Sequence, residues 1–310
     1  MPVFLFPGQG AQFSGMGMDL VDSDAGNSIG IRSFFAEAGE RIGTDIVSLL
    51  SSSDESLKRT DVSQVAITAC SLAAALALKA RGILPSACAG FSLGEYPALA
   101  VSGVISFSDA IYLTKERGRI MQAACDAIAS SGSAIPGMAA VLGLSPEKID
   151  EVIASLGIPN LFGANYNSPL QTVISGTSEA LDAAEVAFKE AGARRVLRLK
   201  VAGPFHSPLM ANAGVEFAKV LEGVPFNDPA IPLFSNVTGS RVTTGADAKA
   251  RAVEHISNPV RWTAEEAAIS ALAGETCECV EVGPGKVLSG LWADSKLPGT
   301  CKPYADYLAN

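Results

Sequence analysis

Between residues 137 and 201 the order of predicted elements changes, and that change limits the possible folds more than any other feature of the chain. "GMAAVLGL" (137–144) reads as a strand, and Ser145-Pro146-Glu147 opens a helix to about Leu156. Proline suits that first helical position, where its missing N–H is harmless. "LFGANYN" (161–167) and "LQTVISG" (170–176) are strands parted by a Ser168-Pro169 turn. "TSEALDAAEVAFKEAG" (177–192) is a capped amphipathic helix, and "ARRVLRLKV" (193–201) is a last strand.

Outside this stretch strands and helices alternate. "VFLF" (3–6) is a short apolar run stopped by Pro7-Gly8, and the glycine-rich loop "PGQGAQFSGMG" follows. Helices are expected at 29–50, 62–81, 92–103 and 106–125, with a strand at "SACAGF" (86–91). "PLFSNVTG" (232–239) and "CECVEVGPG" (277–285) resume the pattern. The fold class is therefore α/β with a parallel sheet. The β-α-β-β-α-β order is the ferredoxin-like arrangement. It is expected to form a small subdomain, 131–200, inserted into a core built from 1–130 and 201–310.

A net charge of −9 argues against wholesale binding to nucleic acid or an anionic membrane. "MPVFLFPGQG" has no basic region before its apolar run and does not read as a signal peptide. "AITACSLAAALALKA" (66–80) is short for a bilayer span and reads as a buried helix. The six cysteines are scattered, as in proteins of a reducing compartment, so a cytoplasmic location is expected. Cys277-Glu278-Cys279 lacks the second pair that a metal site would need.

Gly-x-Ser-x-Gly occurs twice, at 90–94 and at 26–30. Ser28 follows a polar, turn-rich stretch and reads as a loop or cap serine. Ser92 sits where an apolar strand meets a helix. A sharp turn there exposes the hydroxyl, and it aims the Leu93 amide at the same space. A serine nucleophile needs a base, and there are only two histidines. His255, in "ARAVEHISNPVRW", reads as a solvated or cap residue on a helix surface. His206 lies in the proline-bounded turn "VAGPFHSPLM" and is the favoured base, although a structural histidine would suit that turn too. No carboxylate stands out as its partner, and a backbone carbonyl could hold the ring equally well.

Seven stretches in fixed order resemble the malonyl-CoA:acyl carrier protein transacylase family and its relatives inside polyketide synthases. They are "FPGQGAQ" (6–12), "GFSLGEYPAL" (90–99), "ERGRIMQ" (116–122), "ANYNSPLQTVISG" (164–176), "GPFHSPLM" (203–210), "NPVRW" (258–262) and "EVGPGKVL" (281–288). The resemblance implies an α/β-hydrolase-like core with a ferredoxin-like insert. It implies Ser92 as nucleophile, His206 as base and acid, and the amides of Gln9 and Leu93 as oxyanion hole. Arg117 would bind the malonyl carboxylate, although by its setting in "KERGR" it reads as a solvated charge. The main-chain carbonyl of Arg261 would steady the histidine, and Gln64 and Asn165 would line the pocket. Phe205 resembles the malonyl-selective members, because its ring leaves little room for an α-methyl group. The chain departs from the family at Phe91, where histidine is usual, at Pro204 for alanine, and at Val65 for proline.

Malonyl-CoA and acyl carrier protein are the implied partners of a monomer, with ping-pong transfer and no metal or bound cofactor. Arg194, Arg198 and Lys200 alternate onto one face of the 193–201 strand as a docking edge for the acidic carrier or for coenzyme A phosphates, unless that face is merely solvated. Three other readings stay open. One is a thioesterase or lipase-like hydrolase using the same Ser92–His206 pair, and another is a non-catalytic carrier-binding module. The third is a transferase of a polyketide or polyunsaturated-lipid pathway.

Overall fold

A computed structural model describes residues 1–24, 26–130 and 136–309. The larger sheet contains β1 (Val3–Phe6), β2 (Ala87–Gly90), β7 (Leu233–Ser235), β8 (Ser240–Val242), β9 (Glu278–Glu281) and β10 (Thr300–Pro303). The smaller contains β3 (Gly137–Leu142), β4 (Leu161–Ser168), β5 (Gln171–Gly176) and β6 (Arg195–Arg198). The large sheet runs β10-β9-β1-β2-β7-β8. It is parallel except for β8, which folds back on β7 as an antiparallel edge. Every residue of β1 and β2 is buried, as expected for central parallel strands covered on both faces.

The small sheet runs β4-β5-β3-β6 and is antiparallel throughout. Helices Pro146–Leu156 and Ser178–Glu190 cover one face, closing a core of Ala139, Val141, Ile149, Ile174, Leu181 and Phe188. Met138, Ala140 and Val173, from the other face of that sheet, join the main core. The expected junction at 130/131 adjoins residues 131–135, which lie outside the described residues. Val260 stitches the units together: its N–H donates to the Ala164 carbonyl and its own carbonyl accepts from Tyr166.

Two helical expectations shift for local reasons. The stretch 29–50 is two helices, Ile31–Ile42 and Ile46–Leu50. Gly43 ends the first in a left-handed cap (φ 64°), and the Asp45 side chain caps the second. Thr60–Ala80, 21 residues, has the length and apolar character of a membrane span, but it runs through the core and most of it is buried.

Candidate active site

The turn after β2 is built by glycines. A Cβ at Gly90 would overlap the Gly94 carbonyl, and one at Gly94 would overlap the Phe6 carbonyl. Only glycine allows the backbone to double back so closely. Ser92 is thereby held in the left-handed region (φ 50°), with Leu93 in the short 3₁₀ turn leading into helix Glu95–Val101. A Cβ at Gly26, by contrast, would meet nothing within 4 Å. Ser28 occupies an ordinary bend, not a tight strand-to-helix turn.

Ser92 Oγ lies 2.7 Å from His206 Nε2. His206 is also left-handed (φ 56°) and buried, so both members of the pair occupy a conformation that non-glycine residues rarely adopt. His206 Nδ1 faces two backbone carbonyls, His255 O at 3.1 Å and Asn258 O at 3.2 Å. A carbonyl only accepts, so Nδ1 carries the proton and Nε2 turns its lone pair to the serine. Burial first, and the Arg117 charge second, lower the His206 pKa to about 4. The ring is neutral at pH 7, ready to take a proton.

These carbonyls correct the expectation for Arg261. Its own carbonyl accepts instead from Ala264 and Glu265 at the start of helix Trp262–Ala273. The expectation for His255 is overturned as well. It does stand at the C-cap of helix Gly245–Glu254, but its side chain is fully buried, with its ring 5.4 Å from that of His206.

Arg117 belongs to helix Phe107–Ser130 and points inward, 1% exposed. Nη1 donates to Gln64 Oε1 at 2.9 Å, and Nη2 reaches Ser92 Oγ at 3.4 Å. The guanidinium carbon lies 5.6 Å from the centroid of the Tyr96 ring. Among the described residues no carboxylate forms a salt bridge with it, and Nε has no hydrogen-bond partner. Burial lowers its pKa, but a guanidinium stays charged at neutral pH. The buried Glu95 carboxylate acts on the guanidinium through space, but no described anion bonds it directly, and a buried cation so placed is an anion-binding site beside a nucleophile.

The loop after β1 closes one side. A Cβ at Gly8 would press on the Phe91 carbonyl, so Gln9 follows directly on this contact, and its side chain bonds Thr60. Phe205 is buried next to the base, and its carbonyl accepts from Ser175. Asn165 is buried in β4, where its backbone pairs with Val173 and Val260. Phe91 packs edge-on against Trp262, with ring centroids 5.5 Å apart. Cys277 and Cys279 bring their sulfurs within 3.6 Å. Among the described residues no group of three or more His, Cys, Asp or Glu is placed to hold a metal. A cavity of about 330 Å³ opens on His206 between the two units, lined also by Ile153, Phe162, Pro208 and Asn258.

Sequence reasoning overlooked Asn236, which meets the Ser92 amide from behind, and also Glu95 and Glu265 around it.

Residues 3–293 match the family model described as acyl transferase domain. The malonyl CoA-acyl carrier protein transacylase of Bacillus subtilis (strain 168) is 40% identical over 293 residues, covering 93% of this chain and 88% of that protein. A crystal structure of an acyl carrier protein S-malonyltransferase from Vibrio cholerae superposes with a TM-score of 0.89 at 37% identity, covering 97% of this chain and 95% of that one. A malonyl-transacylase solved in complex with its type II polyketide acyl-carrier protein has a TM-score of 0.85 at 35% identity, covering 97% and 94%. An oriented serine–histidine pair beside a buried arginine, on a chain matched this fully, places the protein in the acyl transferase family, among the malonyl CoA-acyl carrier protein transacylases.

Proposed function

We propose that this protein moves a malonyl group from malonyl-CoA to the phosphopantetheine thiol of an acyl carrier protein, through an ester on Ser92. The observation that carries this reading is Arg117, a buried cation lacking a carboxylate partner and 3.4 Å from Ser92 Oγ. A malonyl carboxylate would supply the missing charge through two parallel hydrogen bonds. A lipase-like hydrolase has no use for such a clamp in its acyl pocket.

His206 takes the Ser92 proton as Oγ attacks the thioester carbonyl. The amides of Leu93 and Gln9 hold the oxyanion, and as it collapses the C–S bond breaks. His206 returns the proton to the departing coenzyme A thiolate, leaving O-malonyl-Ser92. The carrier thiol then gives its proton to His206 and attacks the ester, and Ser92 regains the proton on leaving. Both half-reactions share one site, so the kinetics are ping-pong. Neither needs a metal or redox cofactor. The cavity beside His206 offers the pantetheine arm a route between the units. Carriers of fatty acid and polyketide synthesis present the same thiol and suit the site equally. A cytoplasmic monomer accords with this reading.

Docking on the 193–201 edge needs revision. Arg198 bonds Asp182 and the Ser178 carbonyl, so its charge is matched within the subdomain. The strand is shorter than expected: Arg194 lies in the bend before β6 and Arg195 is its first residue, both exposed, with Leu197 exposed beyond them. Reversing both charges (Arg194→Glu, Arg195→Glu) is expected to raise the carrier KM several-fold and leave acylation by malonyl-CoA unchanged. Steady-state kinetics with varied carrier concentration check this, and an unchanged KM removes the surface from the reading.

The central test is intact-protein mass spectrometry after brief exposure to malonyl-CoA. A malonyl-sized adduct is expected on the protein and none on Ser92→Ala, with weak labelling by acetyl-CoA. Steady release of coenzyme A without an adduct would instead indicate a hydrolase. Neither adduct nor turnover would indicate a binding module.

A further inference from the structure

Behind Ser92 lies a buried polar cluster that the steps above do not use. Its centre is Asn236, just after β7, and every polar atom of that residue is engaged. Oδ1 accepts from the Ser92 N–H at 2.6 Å and lies 3.2 Å from His255 Nε2. Nδ2 donates to the Gly90 carbonyl at 2.5 Å and to Glu265 Oε1 at 2.7 Å. The backbone N–H donates to Glu95 Oε2 at 2.9 Å, and the carbonyl accepts from Arg261 at 2.9 Å. One side chain thus grips the turn on both sides of Phe91.

The partners fix which way the amide points. The Ser92 N–H can only donate and the Gly90 carbonyl can only accept. A flipped amide would set donor against donor at Ser92 and acceptor against acceptor at Gly90. With the oxygen toward Ser92, His255 must carry its proton on Nε2 to complete the contact. Its Nδ1 has no hydrogen-bond partner among the described residues. His255 therefore reaches both catalytic residues, His206 through its carbonyl and Ser92 through Asn236. Burial pushes Glu265 far above the carboxylate range and Glu95 up to about 7. The donors of Asn236 thus meet acceptors that are not two full anions.

We propose that Asn236, oriented by the His255 side chain, is a positioning residue that holds Ser92 in its left-handed, attacking conformation. This rests on Ser92 being the nucleophile. Without the contact, the Ser92 amide is buried unpaired and the turn can relax toward ordinary backbone angles, carrying Oγ away from His206. A displacement of about 1 Å at a reacting atom costs on the order of 100-fold in rate.

The test is the single-turnover rate of Ser92 acylation by malonyl-CoA, counted per active site titrated by adduct mass. Asn236→Ala is expected to slow it about 100-fold with the KM for malonyl-CoA within threefold. Asn236→Asp should be similarly slow, because it cannot donate to Gly90. His255→Leu should slow acylation about tenfold, and His255→Gln, which keeps a side-chain N–H, should restore it. A merely structural role would lower the titratable fraction and the melting temperature without changing the rate per site. An Asn236→Ala rate within threefold of the parent overturns the proposal. If Asn236→Ala does not fold, equal rates for His255→Leu and His255→Gln overturn it. Absence of an adduct on the parent protein, the same as on Ser92→Ala, would overturn the nucleophile reading instead.

Discussion

Replacing Arg117 by alanine is expected to cut kcat/KM for malonyl-CoA by roughly a thousandfold and to raise, or at least spare, the reaction with acetyl-CoA. Two charge-assisted hydrogen bonds to a buried carboxylate contribute about 1.5–3 kcal/mol each, together two to four powers of ten. The same cation penalises a neutral acyl group, which would seal it from water without a partner. Removing it therefore changes the preference as well as the rate. Burial explains why the effect should be large: at 1% exposure neither water nor salt can stand in for the substrate. Competition kinetics with both thioesters measure the ratio directly. An equal loss for the two acyl groups would show that Arg117 supports the Ser92 turn and does not read the carboxylate.

Why sequence reasoning reached some of these residues and missed others is a matter of what each signal encodes. The Ser92 turn was legible because it demands glycine at two positions for steric reasons, and a strand precedes it. The small subdomain was legible because its helices carry caps, Ser145 and Thr177, that the structure uses. His255 was misread because polar neighbours suggested solvent. For the same reason the neighbours of Arg117 alone suggested a solvated charge, so that its inward role came only from the family resemblance. Yet Arg117 falls in line with buried Leu113, Ile120 and Met121, and His255 with buried Ala248 and Ala252. Helical spacing puts each polar side chain on the inward stripe. Position within that stripe, more than residue type, was the available signal. Asn236 could not be found in this way, because its role depends on contacts with Ser92 and His255, 144 and 19 residues distant. The Arg261 error is of another kind. Matching a motif locates a segment, but which of its carbonyls faces the imidazole depends on how the chain leaves helix Gly245–Glu254.

That helix end also bears on the second large effect, the loss of His206. His206→Ala is expected to slow Ser92 acylation by about a thousandfold, the middle of the range for removing a general base. The pH dependence of the intact protein is the sharper test. The deprotonated ring is the base, and its pKa is lowered to about 4, so acidification should spare the rate well below the 6.5 of a free histidine. A neutral serine-directed phosphonate, applied just after a pH jump, avoids titrating a substrate carboxylate. Its labelling rate should be level from pH 8 to about 5 and half lost near 4. Arg117 is the second cause of the depression, so Arg117→Ala should move the midpoint upward, toward 6.5. A midpoint near 6.5 in both proteins would mean that the resting ring is solvated, with neither burial nor Arg117 acting on it. Depressing the resting pKa alone would make His206 a weak base. The carbonyls of His255 and Asn258, which follow the C-terminus of a ten-residue helix, offset this, because they stabilise positive charge as it develops on the ring. The site thus keeps the ring neutral at rest and supports the imidazolium only while a proton is in transit.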